Sequence, residues 1–167
     1  MRSYFFALFP PTRVRDQIAD IASALNEQHH LKARLIRADN LHLTLAFLGR
    51  VKGHDPELVQ RAIASGHRAQ KHAFELTLDH AQTFDGHSDH PLALLCSEIP
   101  SALRSLHASL GDVDREYRPH FTMGYTCERL PRTQLARTVV ITARAFAFVT
   151  RQPEMRDYTQ LHNWTLN

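Results

Sequence analysis

Residues 40–49 have the sequence Asn40-Leu41-His42-Leu43-Thr44-Leu45-Ala46-Phe47-Leu48-Gly49. Apolar residues alternate along it, which predicts a β-strand whose core-facing side is formed by Leu41, Leu43, Leu45 and Phe47. The other side carries His42, Thr44 and Ala46. The same His-x-Thr pair occurs again in Arg118-Pro119-His120-Phe121-Thr122-Met123-Gly124-Tyr125. An apolar strand seldom presents an imidazole and a hydroxyl on one face unless that face lines a cleft. We therefore expect the fold to bring these two strands together at a cleft.

The segments around the two His-x-Thr strands predict an α+β fold. Helical spacing of apolar residues indicates helices over residues 12–28, 56–70 and 101–110, with Thr12 and Asp55 as N-caps and Pro56 at a first helical position. Further strands are predicted over residues 4–9, 33–37, 74–79, 92–99, 138–149 and 158–166. The polar segments 80–90, 111–118 and 129–137 are expected to be loops. The order strand, helix, His-x-Thr strand occurs twice, which predicts one domain, residues 1–167, made of two similar lobes facing across a groove.

The composition is that of a folded, mildly basic protein. Hydrophobic residues make up 43% of the 167 residues and the formal net charge is +3, which suits an anionic ligand or RNA but is common among unrelated proteins. Cys96 and Cys127 lie in apolar segments, so both are predicted to be core residues of a reduced, cytoplasmic protein. No apolar run approaches the roughly 20 residues of a membrane span. Residues 4–9 are interpreted as a first strand and not as a signal sequence.

Two histidines and two threonine hydroxyls at one cleft would suit acid–base chemistry at phosphorus. Histidine titrates near neutrality, so one imidazole can accept a proton from water while the other protonates a departing ribose oxygen. The threonine hydroxyls can donate hydrogen bonds to the non-bridging phosphate oxygens, where negative charge grows. This chemistry requires no metal or other cofactor, and no serine or cysteine lies in a nucleophile motif.

At these residues the chain resembles the two-histidine (2H) phosphoesterase superfamily. Within it, the chain is most similar to the bacterial and archaeal RNA 2′,3′-cyclic phosphodiesterases, long called 2′-5′ RNA ligases. The likeness covers nearly the whole chain, and it is carried by residues 4–10, 39–49, 119–123 and 158–161 with Trp164 and Leu166. It implies a bilobal fold, with two antiparallel sheets and flanking helices around a central cleft.

The resemblance also implies an activity and its residues. The activity is hydrolysis of 2′,3′-cyclic phosphodiesters, at RNA ends or on nucleotides, to 2′-phosphates, with weak reversible 2′-5′ RNA ligation in some members. It implies that His42 protonates the leaving 3′ oxygen and His120 activates water, although the sequence itself is symmetric on this point. Thr44 and Thr122 would bind the phosphate. The substrate would be the partner, with no membrane and no protein partner implied, and a monomer is expected.

One position departs from the pattern of that family, which commonly has an arginine three residues after the second threonine. Here that residue is Tyr125, which can donate a hydrogen bond but carries no positive charge. Met123 in place of the usual leucine is a milder change. Arg118, Arg151 or Arg156 could supply the missing cation, and Arg151, which follows the long late strand, is our first choice for the phosphate.

Three other interpretations remain open from the sequence. The chain could be a 2H hydrolase of another small cyclic phosphodiester, or a non-catalytic RNA- or nucleotide-binding module. A metal site is conceivable in the polar loop, although its ligands have no established spacing; they are His80, Asp85, His87, Asp89 and His90. Phe9, Phe47 and Phe84 could stack on a base if they face the groove, but Phe47 is expected in the core because it lies opposite His42.

Overall fold

The structure is a computed structural model that describes residues 1–111 and 116–167. The α-helices of this part of the chain are α1 (Thr12–Gln28), α2 (Pro56–Arg68) and α3 (Ser101–Leu110). Its strands are β1 (Arg2–Leu8), β2 (Arg34–Leu35), β3 (Leu43–Val51), β4 (Phe74–Thr83), β5 (His90–Leu95), β6 (His120–Thr126), β7 (Thr133–Ala143), β8 (Ala145–Arg151) and β9 (Thr159–Thr165). A 3₁₀ turn (Ala38–Asn40) precedes β3. The predicted α+β class is confirmed. The predicted loop 111–118 lies in part outside the described residues.

The described strands form one antiparallel sheet in the order β7-β4-β5-β6-β3-β1-β8-β9, with β2 paired to β6. Its halves, β7-β4-β5-β6 and β3-β1-β8-β9, are joined where Leu43 of β3 pairs with Phe121 of β6. In the described part of the chain that is the one residue pair recorded between them. The division into two sheets is therefore not confirmed, because the pairing is continuous. The join lies between the two His-x-Thr segments, as the sequence predicts.

Each helix packs on the rest of the protein through one buried apolar stripe. In α1 the buried residues are Val14, Ile18, Ala22 and Leu25. The Asp55 carboxylate accepts a hydrogen bond from the Leu58 amide at 2.9 Å, so the predicted N-cap of α2 is confirmed. The predicted cap at Thr12 is wrong: α1 already begins at Thr12, its N-cap is Pro11, and no side chain caps it. The described residues contain no helix that is long and apolar enough to cross a membrane.

The predicted strand 138–149 is two strands that belong to different halves of the sheet. The chain leaves β7, which pairs with β4, and enters β8, which pairs with β1 and β9. The crossing occurs at Arg144, whose carbonyl accepts a hydrogen bond from the Leu166 amide at 2.8 Å. An unbroken strand could not pair with β4 at one end and with β1 at the other, because these strands lie in opposite halves of the sheet.

Two predicted loops contain strand residues, and one cysteine lies elsewhere than predicted. β4 continues to Thr83 and β7 begins at Thr133, so parts of residues 80–90 and 129–137 are extended. His80 is buried inside β4, where its Nδ1 atom lies 2.5 Å from the Oδ1 atom of Asp79. Cys96 is buried as predicted, but Cys127 is exposed because it follows the end of β6.

Two β-bulges in β3 reverse its side-chain alternation. Ala7 of β1 pairs with Thr44 and Phe6 pairs with Ala46, so Leu45 is an extra residue between two pairs. Leu41 and Leu43, before the bulge, and Leu45 within it are buried as predicted. After it, Ala46 is buried and Phe47 is 57% exposed, so both predictions for these two residues are wrong. A one-residue slip turns the following side chains to the other face.

The second bulge follows directly. Phe5 pairs with Phe47 and Tyr4 with Gly49, which leaves Leu48 as an extra residue. Gly49 has φ +130°, a conformation that residues with a Cβ atom rarely adopt. This second slip places the next residue, Arg50, opposite Ser3.

Candidate active site

A cleft of about 580 Å³ opens at the join between the two halves of the sheet. Five of the six predicted site residues line it: His42, Thr44, Thr122, Tyr125 and Arg151. The sixth, His120, begins β6 beside the cleft and is not among its lining residues, but its charge acts on His42. The structure therefore brings the six predicted residues to one region.

One antiparallel pair, Leu43 with Phe121, joins the two His-x-Thr segments. Leu43 and Phe121 are paired and buried, so the neighbouring side chains point to the opposite, cleft face. Continued by one step to either side, this register would set His42 level with Thr122 and Thr44 level with His120. The two histidines therefore lie on segments that flank the join.

Both imidazoles are held by the same local hydrogen bond. Nδ1 of His42 lies 2.8 Å from the carbonyl oxygen of Asn40, and Nδ1 of His120 lies 2.7 Å from that of Arg118. A carbonyl oxygen can only accept, so Nδ1–H is the donor in each case. Each neutral ring therefore keeps Nε2 as its proton-accepting atom, and each protonated ring has Nε2–H to donate. The Asn40 side chain is itself fixed, because its amide nitrogen donates to the Arg156 carbonyl at 2.9 Å.

Aromatic rings enclose His42 and restrict its rotation. Its ring centroid lies 5.2 Å from that of Phe5, 5.6 Å from Phe9 and 4.8 Å from Tyr158. Burial lowers the pKa of His42, and the positive charges of His120 and Arg151 lower it further, against the opposing effect of the Asn40 hydrogen bond. The ligand-free site therefore favours the neutral imidazole at this position.

His120 has a smaller aromatic contact. Its ring meets the Phe84 ring edge to face, with the centroids 4.8 Å apart. The Arg118 guanidinium lies over the same Phe84 ring, 4.6 Å from its centroid. Burial lowers the pKa of His120, and the Arg118 charge adds to this effect. Phe84, one of the three phenylalanines considered for stacking, thus packs against a histidine of the site.

The cleft contains more positive charge than the sequence analysis predicted. Arg151 lines it and lies over the Tyr158 ring at 5.5 Å, whereas Arg156 is not a lining residue. Three further arginines of the lining were not predicted: Arg34, Arg37 and Arg50. Arg34 pairs with Tyr125 across β2 and β6, and its guanidinium lies 5.6 Å from that ring centroid. A cation therefore accompanies the tyrosine that stands in the place of the family arginine.

The sequence offered different signals for these missed residues. Arg34 and Arg37 lie in the basic segment before the first His-x-Thr strand, which could have suggested them. Arg50 and Phe47 reach the cleft through the two bulges, for which the sequence of β3 alone gives no signal apart from Gly49.

His107 and Tyr117 support the first bulge from below the cleft. Their rings are stacked, with centroids 3.7 Å apart and planes at 3°. Nδ1 of His107 donates to the Leu45 carbonyl at 2.6 Å, and the Tyr117 hydroxyl donates to the Thr44 carbonyl at 3.0 Å. These two residues therefore satisfy successive carbonyls where β3 departs from regular pairing with β1. The sequence analysis missed both.

Several side chains of the polar loop have other partners. His80 contacts Asp79, Asp85 is paired with Arg129, and Asp89 forms an ion pair with Arg34 at 3.6 Å and accepts a hydrogen bond from Cys127. No group of three potential ligands suited to a metal ion is found among residues 1–111 and 116–167. This loop therefore gives no support to the metal interpretation.

Comparison with known proteins assigns the chain to a family. The family described as LigT like Phosphoesterase matches residues 8–93, which is more than half of the chain and includes the first His-x-Thr strand. An RNA 2′,3′-cyclic phosphodiesterase of Escherichia coli K12 is 32% identical over 128 residues, which cover 71% of this chain and 69% of the relative. The chain belongs to the LigT-like phosphoesterase family. The resemblance to 2H phosphoesterases is thereby confirmed.

Solved structures extend the similarity of this LigT-like phosphoesterase to the second motif. E. coli LigT complexed with 3′-AMP superposes with a TM-score of 0.82 at 26% identity, covering 99% of this chain and 98% of that one. A crystal structure described as a phosphoesterase gives 0.80 at 25% identity and covers 99% of both chains. LigT has also been crystallised with ATP and with NADP+.

Proposed function

We propose that this LigT-like phosphoesterase hydrolyses 2′,3′-cyclic phosphodiesters, at RNA ends or on nucleotides, to 2′-phosphates, with His42 and His120 as catalytic residues. The observation that carries the proposal is the matched anchoring of the two imidazoles. Both donate from Nδ1 to the carbonyl two residues before them, and both therefore have Nε2 free for proton transfer. An acid and a base on opposite sides of a reacting phosphorus suit an in-line displacement.

The reaction is assigned to these atoms as follows. Nε2 of His120 accepts a proton from water, and the water oxygen forms a bond to phosphorus. The bond from phosphorus to O3′ breaks, and Nε2–H of His42 protonates the departing oxygen, which leaves the phosphate on O2′. If a 5′-hydroxyl of RNA replaces water, the same steps give a 2′-5′ linkage, and we propose weak reversible ligation as a second activity on this basis.

Thr44, Thr122, Tyr125 and Arg151 are proposed to bind the phosphate. Hydroxyl donors aimed at the non-bridging oxygens stabilise the charge that develops there. The bound anion also raises the pKa of both histidines, whose values are lowered by burial in the free protein. Substrate binding therefore promotes protonation of the imidazole that acts as the acid.

Related proteins support this choice of substrate class. The curated relative is named an RNA 2′,3′-cyclic phosphodiesterase, and LigT was crystallised with 3′-AMP. We propose that the two halves of the sheet act as pseudo-symmetric lobes of one monomeric domain, with the phosphorus held between their His-x-Thr strands. The mechanism assigns no role to a metal ion or another cofactor.

The test is turnover of adenosine 2′,3′-cyclic phosphate, and of a short RNA with the same end, in EDTA. Wild type is compared with His42→Gln, His120→Gln and His87→Gln, the last being an exposed histidine of the polar loop. Formation of 2′-phosphate by wild type and His87→Gln, with loss in the other two, supports the proposal. Binding of both substrates without turnover would favour a binding module. Turnover of other cyclic phosphodiesters alone would favour the alternative 2H hydrolase.

A further inference from the structure

A row of three residues crosses the cleft floor beyond the histidines. Arg50 on β3 pairs with Ser3 on β1, and Ser3 pairs with Arg151 on β8. All three line the cleft. Residues that are directly opposed on neighbouring strands project from the same face of a sheet. Two arginine side chains therefore project from the strands on either side of Ser3, and neighbouring strands are about 4.7–4.9 Å apart.

The second bulge creates this row. From Phe47, regular alternation would point Leu48 to the core, Gly49 to the cleft and Arg50 to the core. Because Leu48 is an extra residue, Gly49 lies opposite the buried Tyr4 and Arg50 lies opposite Ser3 on the cleft side. The positive φ of Gly49 permits the slip.

The charge of this row is not balanced by acidic side chains. Of the other cleft arginines, Arg34 is paired with Asp89, and Arg37 is paired with Asp39 at 3.4 Å and with Asp157 at 3.7 Å. Among the residues that the structure describes, no ion pair within 4.0 Å is formed by Arg50 or Arg151. Both side chains are exposed, and Arg151 also contacts the Tyr158 side chain.

Aromatic residues fill the space between this row and the histidines. Phe5 of β1 pairs with Phe47 of β3. Along β1, Phe5 lies midway between Ser3 and Ala7, and Ala7 pairs with Thr44. The distance along β1 from Ser3 to Ala7 is about 13 Å, at roughly 3.3 Å per residue. Phe47 is exposed there, and exposed aromatic faces are where bases of single strands stack.

We propose that Arg50, Ser3 and Arg151 form a second anion site, which binds the phosphodiester on the 5′ side of the terminal nucleoside of an RNA substrate. A guanidinium donates paired hydrogen bonds to phosphate oxygens, and two of them on either side of a serine hydroxyl can enclose one phosphate. The inference rests on the proposed function and narrows its substrate class: the enzyme selects RNA ends over free nucleoside cyclic phosphates. Arg151, between the two sites, contacts either phosphate.

Three substrates distinguish the possible sources of the second phosphate. Adenosine 2′,3′-cyclic phosphate has no second phosphate, and its 5′-phosphorylated form has a terminal 5′-phosphate. The dinucleotide ApA with a 2′,3′-cyclic end has an internucleotide phosphodiester. Arg50→Gln is the informative variant, because Arg50 has no role in the proposed chemistry. Arg61→Gln is the matched control, since Arg61 is exposed on α2 and paired with Glu57. We expect Arg50→Gln to raise KM for the dinucleotide roughly 10-fold, the typical cost of a charged hydrogen bond, with kcat unchanged.

The comparison between substrates decides the proposal. KM for adenosine 2′,3′-cyclic phosphate should be the same in wild type, Arg50→Gln and Arg61→Gln. Loss of one charged contact should also make the affinity for the dinucleotide less sensitive to salt. If Arg50→Gln leaves the dinucleotide KM unchanged, or changes both substrates equally, the second site is refuted. A change with the 5′-phosphorylated mononucleotide alone would also refute the internucleotide assignment.

A binding measurement keeps this inference separate from the proposed reaction. Calorimetric titration with the dinucleotide 3′-phosphate ApAp, and with 3′-AMP, needs no turnover. If Arg50→Gln weakens binding of ApAp and leaves 3′-AMP unaffected, the second site stands, even if wild type hydrolyses no cyclic substrate and the proposed function fails. Equal binding of ApAp by both proteins would overturn the second site whatever the activity.

Discussion

Replacing Tyr117 with phenylalanine tests whether the first bulge of β3 depends on support from below the cleft. The change removes one hydroxyl, which donates to the Thr44 carbonyl at 3.0 Å, and it keeps the ring that stacks on His107. Burial raises the pKa of the Tyr117 hydroxyl well above its ordinary value, so the donor is retained at alkaline pH. His107 continues to hold the next carbonyl, that of Leu45, in the variant.

The expected loss of stability follows from the group left behind. Because no bulky group is removed, no cavity forms, and the cost comes from a carbonyl oxygen without its partner. Such an orphaned acceptor costs about 1–3 kcal/mol. In a protein of 150–250 residues each kcal/mol lowers Tm by about 2–4 °C. We therefore expect Tyr117→Phe to lower Tm by about 4–8 °C, for a central loss of about 2 kcal/mol.

Urea and thermal unfolding of Tyr117→Phe measure this loss. The control is Tyr125→Phe, which removes an exposed hydroxyl and should change stability by less than about 0.5 kcal/mol. We also expect kcat to fall in Tyr117→Phe, because Thr44 lies in the motif and Tyr117 is three residues before His120. A loss no larger than that of the control would show that the hydroxyl does not hold the bulge, and it would refute this reasoning.

Four further predictions concern the histidines and the second bulge. His42→Gln and His120→Gln should each lower kcat by about 10²–10⁴ without loss of Tm, and full activity in either would contradict its role. NMR titration of the free protein should give both imidazoles pKa values below 6.5 and a higher His42 pKa in Arg151→Gln; an unchanged value would mean that Arg151 does not act on His42. Because both pKa values are lowered only in the folded protein, the unfolded state binds more protons below about pH 6.5. The free energy of unfolding in urea should therefore fall as pH drops below about 6.5, and it should fall less in the double variant His42→Gln/His120→Gln. An equal fall in the double variant would show that other groups cause the pH dependence. Gly49→Ala should cost about 1 kcal/mol or more, because alanine is strained at φ +130°, and an unchanged Tm would argue against that backbone conformation.

The local periodicity of the sequence predicted most of the secondary structure and the centre of the site. Alternation along the first His-x-Thr strand placed His42 and Thr44 on one face of it, with the buried Leu43 between them. Alternation along the second strand did the same for His120 and Thr122, with the buried Phe121 between them. These predictions succeed because a strand's two faces are determined by its own sequence when one face is apolar. The same holds for the buried stripe of α1 and for the cap at Asp55.

Features that depend on pairing between distant strands could not be predicted in this way. The extra residues Leu45 and Leu48 are defined only by the register of β3 against β1. The break at Arg144 occurs within a β-branched and aromatic segment, because β7 and β8 pair in different halves of the sheet. Both errors have one cause: strand patterns give the faces of a segment but not its partner. The four arginines of the cleft come from three separate segments of the chain, which the sequence pattern could not bring together for the same reason.

The two halves of the site are similar in backbone and different in surroundings, and this difference bears on the roles of the histidines. Both imidazoles have the same Nδ1 anchor, so the anchor cannot decide which is the acid. His42 is enclosed by three aromatic rings and lies near Arg151, whereas His120 contacts Phe84 and lies near Arg118. Burial is the largest cause of the lowered pKa of His42, and the Arg151 charge is the smallest of the causes, so a phosphate bound at Arg151 would offset only part of the shift. The proposal that His42 is the acid therefore needs the substrate's own negative charge next to the imidazole, because that charge favours the protonated ring.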